Sequence, residues 1–398
     1  MEVPMAEAYI IDVVRTPSGR GKPGGALSGV HPAALLGDLL ATLASRHSID
    51  PVLIDDVITG CVAQIGEQSL NIGRSAVLGA GFPDTVPATT VDRQCGSSQQ
   101  AAHFAAQGVM AGAYDLVIAC GVESMSRIPM GSSTNGADPF GPRVSARYPE
   151  GLVNQGVSAE LLAAKYKLDR TTLDEFSARS HARAVASAAF FSDEIQPVHI
   201  VDETGERTVA TDETVRAATT AEGLGSLKPS FADPALTARF PDIDWKITPG
   251  NSSPLTDGAS AVLIASAAAV AAHGLTPRAR FHDFAVVGSN PIYMLDGPVP
   301  ATQKVLKRAG LSLDDIDAYE VNEAFAPVPL LWQQELNADP DKLNPRGGAI
   351  ALGHALGASG TRLLTTLLHH LEVTGGRYGL QTMCEGAGMA NATVIERL

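Results

Sequence analysis

Two stretches of this 398-residue chain repeat one another. Residues 95–125 and 359–389 align without a gap, and seven of the 31 positions are identical: Gly96/Gly360, Val109/Val373, Gly112/Gly376, Tyr114/Tyr378, Leu116/Leu380, Cys120/Cys384 and Met125/Met389. Hydrophobic and turn positions correspond as well. The two copies lie much further apart than the roughly 20–50 residues of a solenoid repeat. Two duplicated α/β halves standing side by side are therefore expected.

The rest of the chain agrees with layered α/β structure. Strands are expected at Tyr9–Val14, Asp56–Ile58, Val86–Val91 and Asp115–Gly121, alternating with helices near 31–45, 71–80 and after Cys95. From Glu123 to Ser253 the hydrophobic runs shorten and Pro, Gly and charge become frequent. Two amphipathic helices, near 158–167 and 172–190, suggest an inserted, loop-rich helical subdomain, the second capped by Thr171 or Thr172. Regular alternation resumes at Ala259–Ala265. The expected organisation is an N-terminal half (residues 1–124 with 254–276), an inserted loop domain (125–253) and a C-terminal half (277–398).

Composition excludes several classes. A net charge of −14 disfavours a phosphate-tracking nucleic-acid binder, and 45% hydrophobic content is ordinary for a globular protein. Four cysteines without CxxC spacing argue against a disulfide framework or a zinc site and fit a reducing cytoplasm. No apolar run reaches the roughly 18 residues of a membrane span. The N-terminus lacks the basic-then-apolar pattern of a secretory leader. The glycine-rich loop from Ser18 to Gly29 has no GK[ST], so it is not a P-loop.

Cys95 follows a β-leaning segment and precedes a helix-compatible run. Free N–H groups and the positive dipole end at such a turn favour a thiolate, and Gly96, Ser97 and Ser98 leave room beside the sulfur. Taken alone, it could equally be a buried structural cysteine. Three later motifs bear on it: Asn344–Gly360, glycine-dense around His354; Met383–Met389, with Cys384 at a strand end in a glycine turn; and Val321–Ala326, with Asn322 and Glu323 between strand and helix.

With these motifs in this order, the chain resembles the thiolase family over nearly its whole length: a Cys-Gly-Ser turn, an NEAFA block, a GGAIALGHALGASG block and a terminal CxGxG. Asn251–Ala259 also resembles the family's substrate loop. The resemblance implies a duplicated thiolase fold with an α-β-α-β-α core, and acyl transfer between acetyl-CoA and 3-ketoacyl-CoA in fatty acid β-oxidation. Coenzyme A esters would be substrates, with no permanently bound cofactor and no metal. It also implies Cys95 as acylated nucleophile, His354 as its base, Cys384 as the second acid/base, Asn322 holding a water with His354, and N–H groups of Cys95 and Gly386 forming an oxyanion hole. Glu323 would orient its neighbours. Ser253, Arg216 and Lys228 would contact coenzyme A, and a homodimer or homotetramer is expected.

The chain departs from the family pattern at Pro254, Pro249 and Ala355, and Gln155 replaces the methionine of a His-Met-Gly that packs on an acetyl-sized group in short-chain members. Gln155, with Phe325, is thus placed at the acyl pocket, which argues against strict acetoacetyl-CoA selectivity and towards degradative thiolases, including those acting on steroid side-chain esters. Three alternatives stand beside this: a biosynthetic acetoacetyl-CoA thiolase, a ketoacyl-synthase-like enzyme (which would not need Cys384) and a non-catalytic acyl-CoA-binding homologue. Cys61, Cys120 and His103 are read as packing, and His369–His370 as a solvated helix face.

Overall fold

The computed structural model describes residues 6–203 and 205–398; residues 1–5, where the leader reading and the N-terminal half begin, and residue 204 lie outside it. Nine strands follow one another across a mixed sheet in the order Ala318–Val321, Tyr378–Glu385, Met389–Arg397, Ala279–Gly288, Tyr9–Arg15, Thr256–Ala265, Leu116–Ser124, Asp56–Gly60 and Ala88–Val91, with the short strand Gly19–Arg20 pairing off this path. The sheet is two groups joined by a two-residue register, Tyr9 opposite Arg280 and Ile10 opposite Ala279. Each group combines parallel with antiparallel pairing: Asp56–Gly60 runs parallel to both Leu116–Ser124 and Ala88–Val91 in one, and Ala318–Val321 parallel to Tyr378–Glu385 in the other.

Helices Pro32–Arg46 and Ile72–Gly79 cover the outer face of the first group. Helices Pro298–Ala309 and Pro327–Leu336 cover the outer face of the second. Between the groups lie Ser97–Met110 and Ser359–Thr374. The order of layers is therefore α-β-α-β-α. The repeat is visible directly, since 97–110 with 116–124 and 359–374 with 378–385 are the same helix–strand unit.

Small residues let the two middle helices touch. Ala101, Ala102, Ala105 and Ala106 meet Leu364, Leu367, Leu368 and Leu371 in one buried cluster. A Cβ on Gly360 would overlap the backbone nitrogen of Gln99, so only glycine permits this approach.

The insertion contains the helices Gln155–Lys165, Arg170–Ala186 and Ala188–Phe191, and the hairpin Val198–Asp202 with Gly205–Val209. Two expectations are corrected here. The helix expected at 172–190 starts earlier, with Asp169 rather than Thr171 or Thr172 accepting the capping bond (from Thr172 N, 2.8 Å), and it breaks at Ser187. A carboxylate one turn back reaches the free N–H groups and carries the charge that the dipole favours. His369 and His370 also do not lie on a solvated face. Their helix is mostly buried, and each is half-buried, with Thr365 O (2.9 Å) and Arg346 Nε (3.1 Å) as respective partners. Arg15 ties the insertion to the core through Glu194 (2.5 Å) and Asp212 (2.7 Å), all three buried.

Candidate active site

The turn carrying Cys95 is built from local hydrogen bonds. Gln94 adopts a left-handed conformation (φ 50°), and its N–H donates to Asp92 (2.6 Å). Ser97 Oγ accepts from Arg93 N (2.9 Å) and donates to Gln94 O (2.6 Å). Cys95 is thereby set just before the helix Ser97–Met110, as its sequence context implies, and is buried. Its thiol is pushed up to about 12, first by burial and then by the charge of Glu385, while hydrogen bonds from Gln155 and from the N–H groups of Cys95 and Gly386 oppose the shift. The helix terminus therefore does not make a resting thiolate; desolvation outweighs it.

His354 lies at the end of the glycine-dense loop. Its N–H donates to Thr256 Oγ1 (2.9 Å), and its Nδ1 lies 2.6 Å from Ser359 Oγ. The Ser359 hydroxyl donates to Ala355 O (2.8 Å), so it accepts from Nδ1–H and the lone pair resides on Nε2. Nε2 faces Asn322 Nδ2 at 3.4 Å. Burial, and secondarily the Arg362 charge, lower the His354 pKa to about 3, so the ring is neutral and able to accept a proton. Neighbouring Glu323 accepts from Ser180 Oγ (2.7 Å), Asn344 Nδ2 (2.8 Å) and Ile350 N (3.1 Å), clamping both motifs.

Cys384 is the penultimate residue of the strand Tyr378–Glu385 and is fully buried. Its thiol is raised by burial first and then by the charge of Cys95. The following turn uses left-handed Ala387 (φ 64°) and Gly388 (φ 77°), and the Gly386 N–H is among the groups that lower the Cys95 thiol. Glu123 joins the halves by accepting from Val62 N (2.9 Å), Ala63 N (3.1 Å), Gln68 Nε2 (2.8 Å) and Gly357 N (2.9 Å).

The segment Asn251–Thr256 threads between the Asn322 and His354 motifs. Ser252 bridges to Phe325, Leu255 to His354, and both Ser253 N (3.0 Å) and Ser253 Oγ (3.1 Å) donate to Ala324 O. Phe325 is buried edge-to-face with Phe231, 6.1 Å between centroids. Arg216 is exposed and shares a cleft with Pro249, Gly250, Ser252 and Pro254. Lys228 lies exposed after the helix Ala221–Gly225 and does not line that cleft.

Sequence reasoning missed Ser359, Thr256 and Glu385, although all three stand inside or beside the motifs. The other cysteines are packed: Cys61 donates to Glu123, and Cys120 lies 3.1 Å from Thr59 Oγ1. Among the described residues no cluster of His, Cys, Asp and Glu could hold a metal ion, and no helix is long and apolar enough to cross a membrane.

Family models for the thiolase N-terminal and C-terminal domains match residues 8–268 and 275–397. The chain is 48% identical to the steroid 3-ketoacyl-CoA thiolase FadA6 of Mycobacterium tuberculosis, covering 99% of this chain and 95% of that protein. It is 45% identical to a 3-ketoacyl-CoA thiolase of Erwinia tasmaniensis over 99% of this chain and 100% of that one. A Bacillus anthracis acetyl-CoA acetyltransferase superimposes with a TM-score of 0.89 at 35% identity, covering 99% of both chains.

Proposed function

Because the chain belongs to the thiolase family, we propose that it is an acyltransferase cleaving 3-ketoacyl-CoA by thiolysis. The observation that carries this is the convergence on Cys95 of the Gly386 N–H and the Cys384 thiol, with a neutral His354 held by Ser359. Coenzyme A and its esters are substrates, and no resident cofactor is required.

His354 Nε2 takes the Cys95 proton, and the sulfur attacks the 3-keto carbon. Oxyanion charge forms where the N–H groups of Cys95 and Gly386 point. The C2–C3 bond breaks, its electrons remaining on C2 as the enolate of acetyl-CoA, with Asn322 and His354 facing the thioester oxygen. Cys384 protonates C2. The incoming CoA thiol then returns a proton to the Cys384 thiolate, and its sulfur attacks the acyl carbonyl. Cys95 leaves and recovers its proton from His354. Run backwards, these steps are the Claisen condensation.

Ser253 and Arg216 line the approach for coenzyme A; Lys228 is a more distant basic contact. Gln155 beside the Cys95 sulfur and the Phe231–Phe325 pair border the acyl group. This polar–aromatic wall supports a substrate longer than acetoacetyl-CoA, in the sense of the degradative relatives. Residues 1–124 with 254–276 and 277–398 are the two catalytic halves and 125–253 the insertion, a division supported by strand Thr256–Ala265 pairing with Leu116–Ser124. A cytoplasmic homodimer or homotetramer is part of this reading. The free edge of Ala88–Val91, paired on one side with Asp56–Gly60, is a surface a second copy can use.

CoA-dependent loss of 3-ketoacyl-CoA enolate absorbance across chain lengths tests the reading. Cys95→Ser should abolish turnover, whereas Cys384→Ser should still accept an acyl group from acyl-CoA while failing to condense. Turnover unchanged in Cys95→Ser would overturn it, and cleavage of acetoacetyl-CoA alone would overturn the acyl-pocket assignment. Size-exclusion chromatography with light scattering decides the oligomer.

A further inference from the structure

One buried group beside the two cysteines has no part in that mechanism. Glu385 directly follows Cys384, is fully buried, and neither of its carboxyl oxygens has a hydrogen-bond partner among the described residues. Alternation along the strand turns its side chain to the face opposite Cys384, beneath the nucleophile turn. There it packs so closely on Gly96 that a Cβ at that position would overlap Glu385 Oε1. The groups facing it are few. Asp92 and Arg93 belong to the nucleophile loop, Cys95 carries a reacting thiol, and Met389 on the adjoining strand is contacted by Arg93 Nη1 (3.6 Å); the adjacent Cys384, on the other face of the strand, feels the Glu385 charge.

An orphaned, buried carboxyl is costly as an anion and tolerable as a neutral acid. The alternative, a purely structural filler, would be served by glutamine or methionine of similar size. We propose that Glu385 is a charge-setting positioning residue for Cys95: neutral, it supports the nucleophile turn, and on ionising it holds the Cys95 thiol protonated. Burial drives the Glu385 pKa well above the ordinary carboxylate range, opposed by Arg93. The Cys95 thiol in turn is raised by the Glu385 charge. The device keeps the nucleophile chemically quiet in the empty site as pH rises, leaving thiolate formation to His354 once substrate is bound.

This inference rests on Cys95 being the nucleophile, and the test separates the two. The rate of iodoacetamide labelling is followed from pH 6 to 10 in the full chain carrying Cys384→Ser, which removes the neighbouring site thiol, with the labelled peptide identified by mass spectrometry to separate Cys95 from Cys61 and Cys120. Glu385→Gln is compared on the same background, with Glu385→Met as a second variant should the first not fold. The expected result is coincidence at the acid end and faster labelling of the Glu385 variant at the alkaline end, by about tenfold for each unit by which the thiol pKa falls. Rescue by Glu385→Asp should restore the slow alkaline limb. Coincident profiles at every pH would overturn the Glu385 assignment while leaving Cys95 intact. Labelling at a cysteine other than Cys95 would instead overturn the nucleophile reading. If neither variant folds, the Cys384→Ser profile decides: a shoulder from a second ionisation supports the proposal, and a single ionisation overturns it.

Discussion

Replacing Ser359 by alanine tests the proposed role of His354 as the base of the site. Ser359 Oγ accepts the Nδ1–H of His354 at 2.6 Å and donates to Ala355 O at 2.8 Å. The carbonyl loses little, because the N–H groups of Ala358 (3.0 Å) and Ser359 (2.9 Å) also donate to it. The imidazole loses its only Nδ1 partner among the described residues, and His354 is 4% exposed, so water does not readily replace it. An unsatisfied buried donor costs about 1–3 kcal/mol. The ring relieves that cost by moving its proton to Nε2, where Asn322 Oδ1, itself without a partner, can accept it. That tautomer has no lone pair for Cys95. The productive tautomer is therefore depopulated by the same about 1–3 kcal/mol, or roughly 5- to 150-fold in kcat/KM at about 1.4 kcal/mol per decade. The enolate assay measures this at saturating and limiting substrate, with a urea titration alongside. The fall should appear in kcat, and folding stability should drop by less than the catalytic cost. A kcat/KM within about twofold of the parent, or a change confined to KM, would refute the assignment of Ser359 as the tautomer's anchor.

Three further outcomes follow from packing and charge. Gly360→Ala forces a methyl into the Gln99 backbone where the middle helices meet, and should lower stability by about 1–3 kcal/mol or more, read as the urea midpoint; an unshifted midpoint refutes the close approach. Arg15→Met removes the guanidinium shared by the buried carboxylates of Glu194 and Asp212 and should cost about 3–5 kcal/mol, whereas a loss below about 1 kcal/mol would refute this cluster as the tie between insertion and core. His103 and His354, with pKa values lowered to about 3 mainly by burial, are neutral in the fold but titrate near 6.5 when unfolded. The unfolded state binds more protons, so their contribution is complete above about pH 6.5 and is lost as pH falls towards 3. Thermal unfolding from pH 7 to 4 should show this decline. His103→Gln, which can keep the bond to Thr393 Oγ1 (2.8 Å in the parent), should flatten it, and an unchanged slope would count against a neutral His103.

Much of the architecture was legible in the sequence because it depends on local pattern. Apolar runs, turn residues and the repeat between 95–125 and 359–389 determined alternating layers and two similar units. Gly96 and two serines after a β-leaning run placed Cys95 at a helix start. Legibility ended where several short-range choices were equivalent. Asp169, Thr171 and Thr172 can all cap a helix, and the fold selected Asp169. The helix carrying His369 and His370 looked polar at its end, yet packing between the sheet groups buries most of it.

For the site, the sequence by itself determined which motifs exist and, through their order, the family. Only the tertiary structure decided which atoms meet. Cys95 stands before a middle-layer helix whose close approach to its partner helix only glycine at position 360 allows, and the Cys384 thiol, on a strand far along the chain, is raised in part by Cys95. Protonation was decided there too. A helix N-terminus favours a thiolate, but desolvation is the larger effect once the cysteine is buried, so the resting group is a thiol and the proposed chemistry needs a base to remove its proton. Glu385 shows the limit most clearly. In sequence it is one residue of a glycine turn; its burial, its lack of partners and its position beneath Gly96 are properties of the packed molecule, because desolvation belongs to an environment and not to a residue.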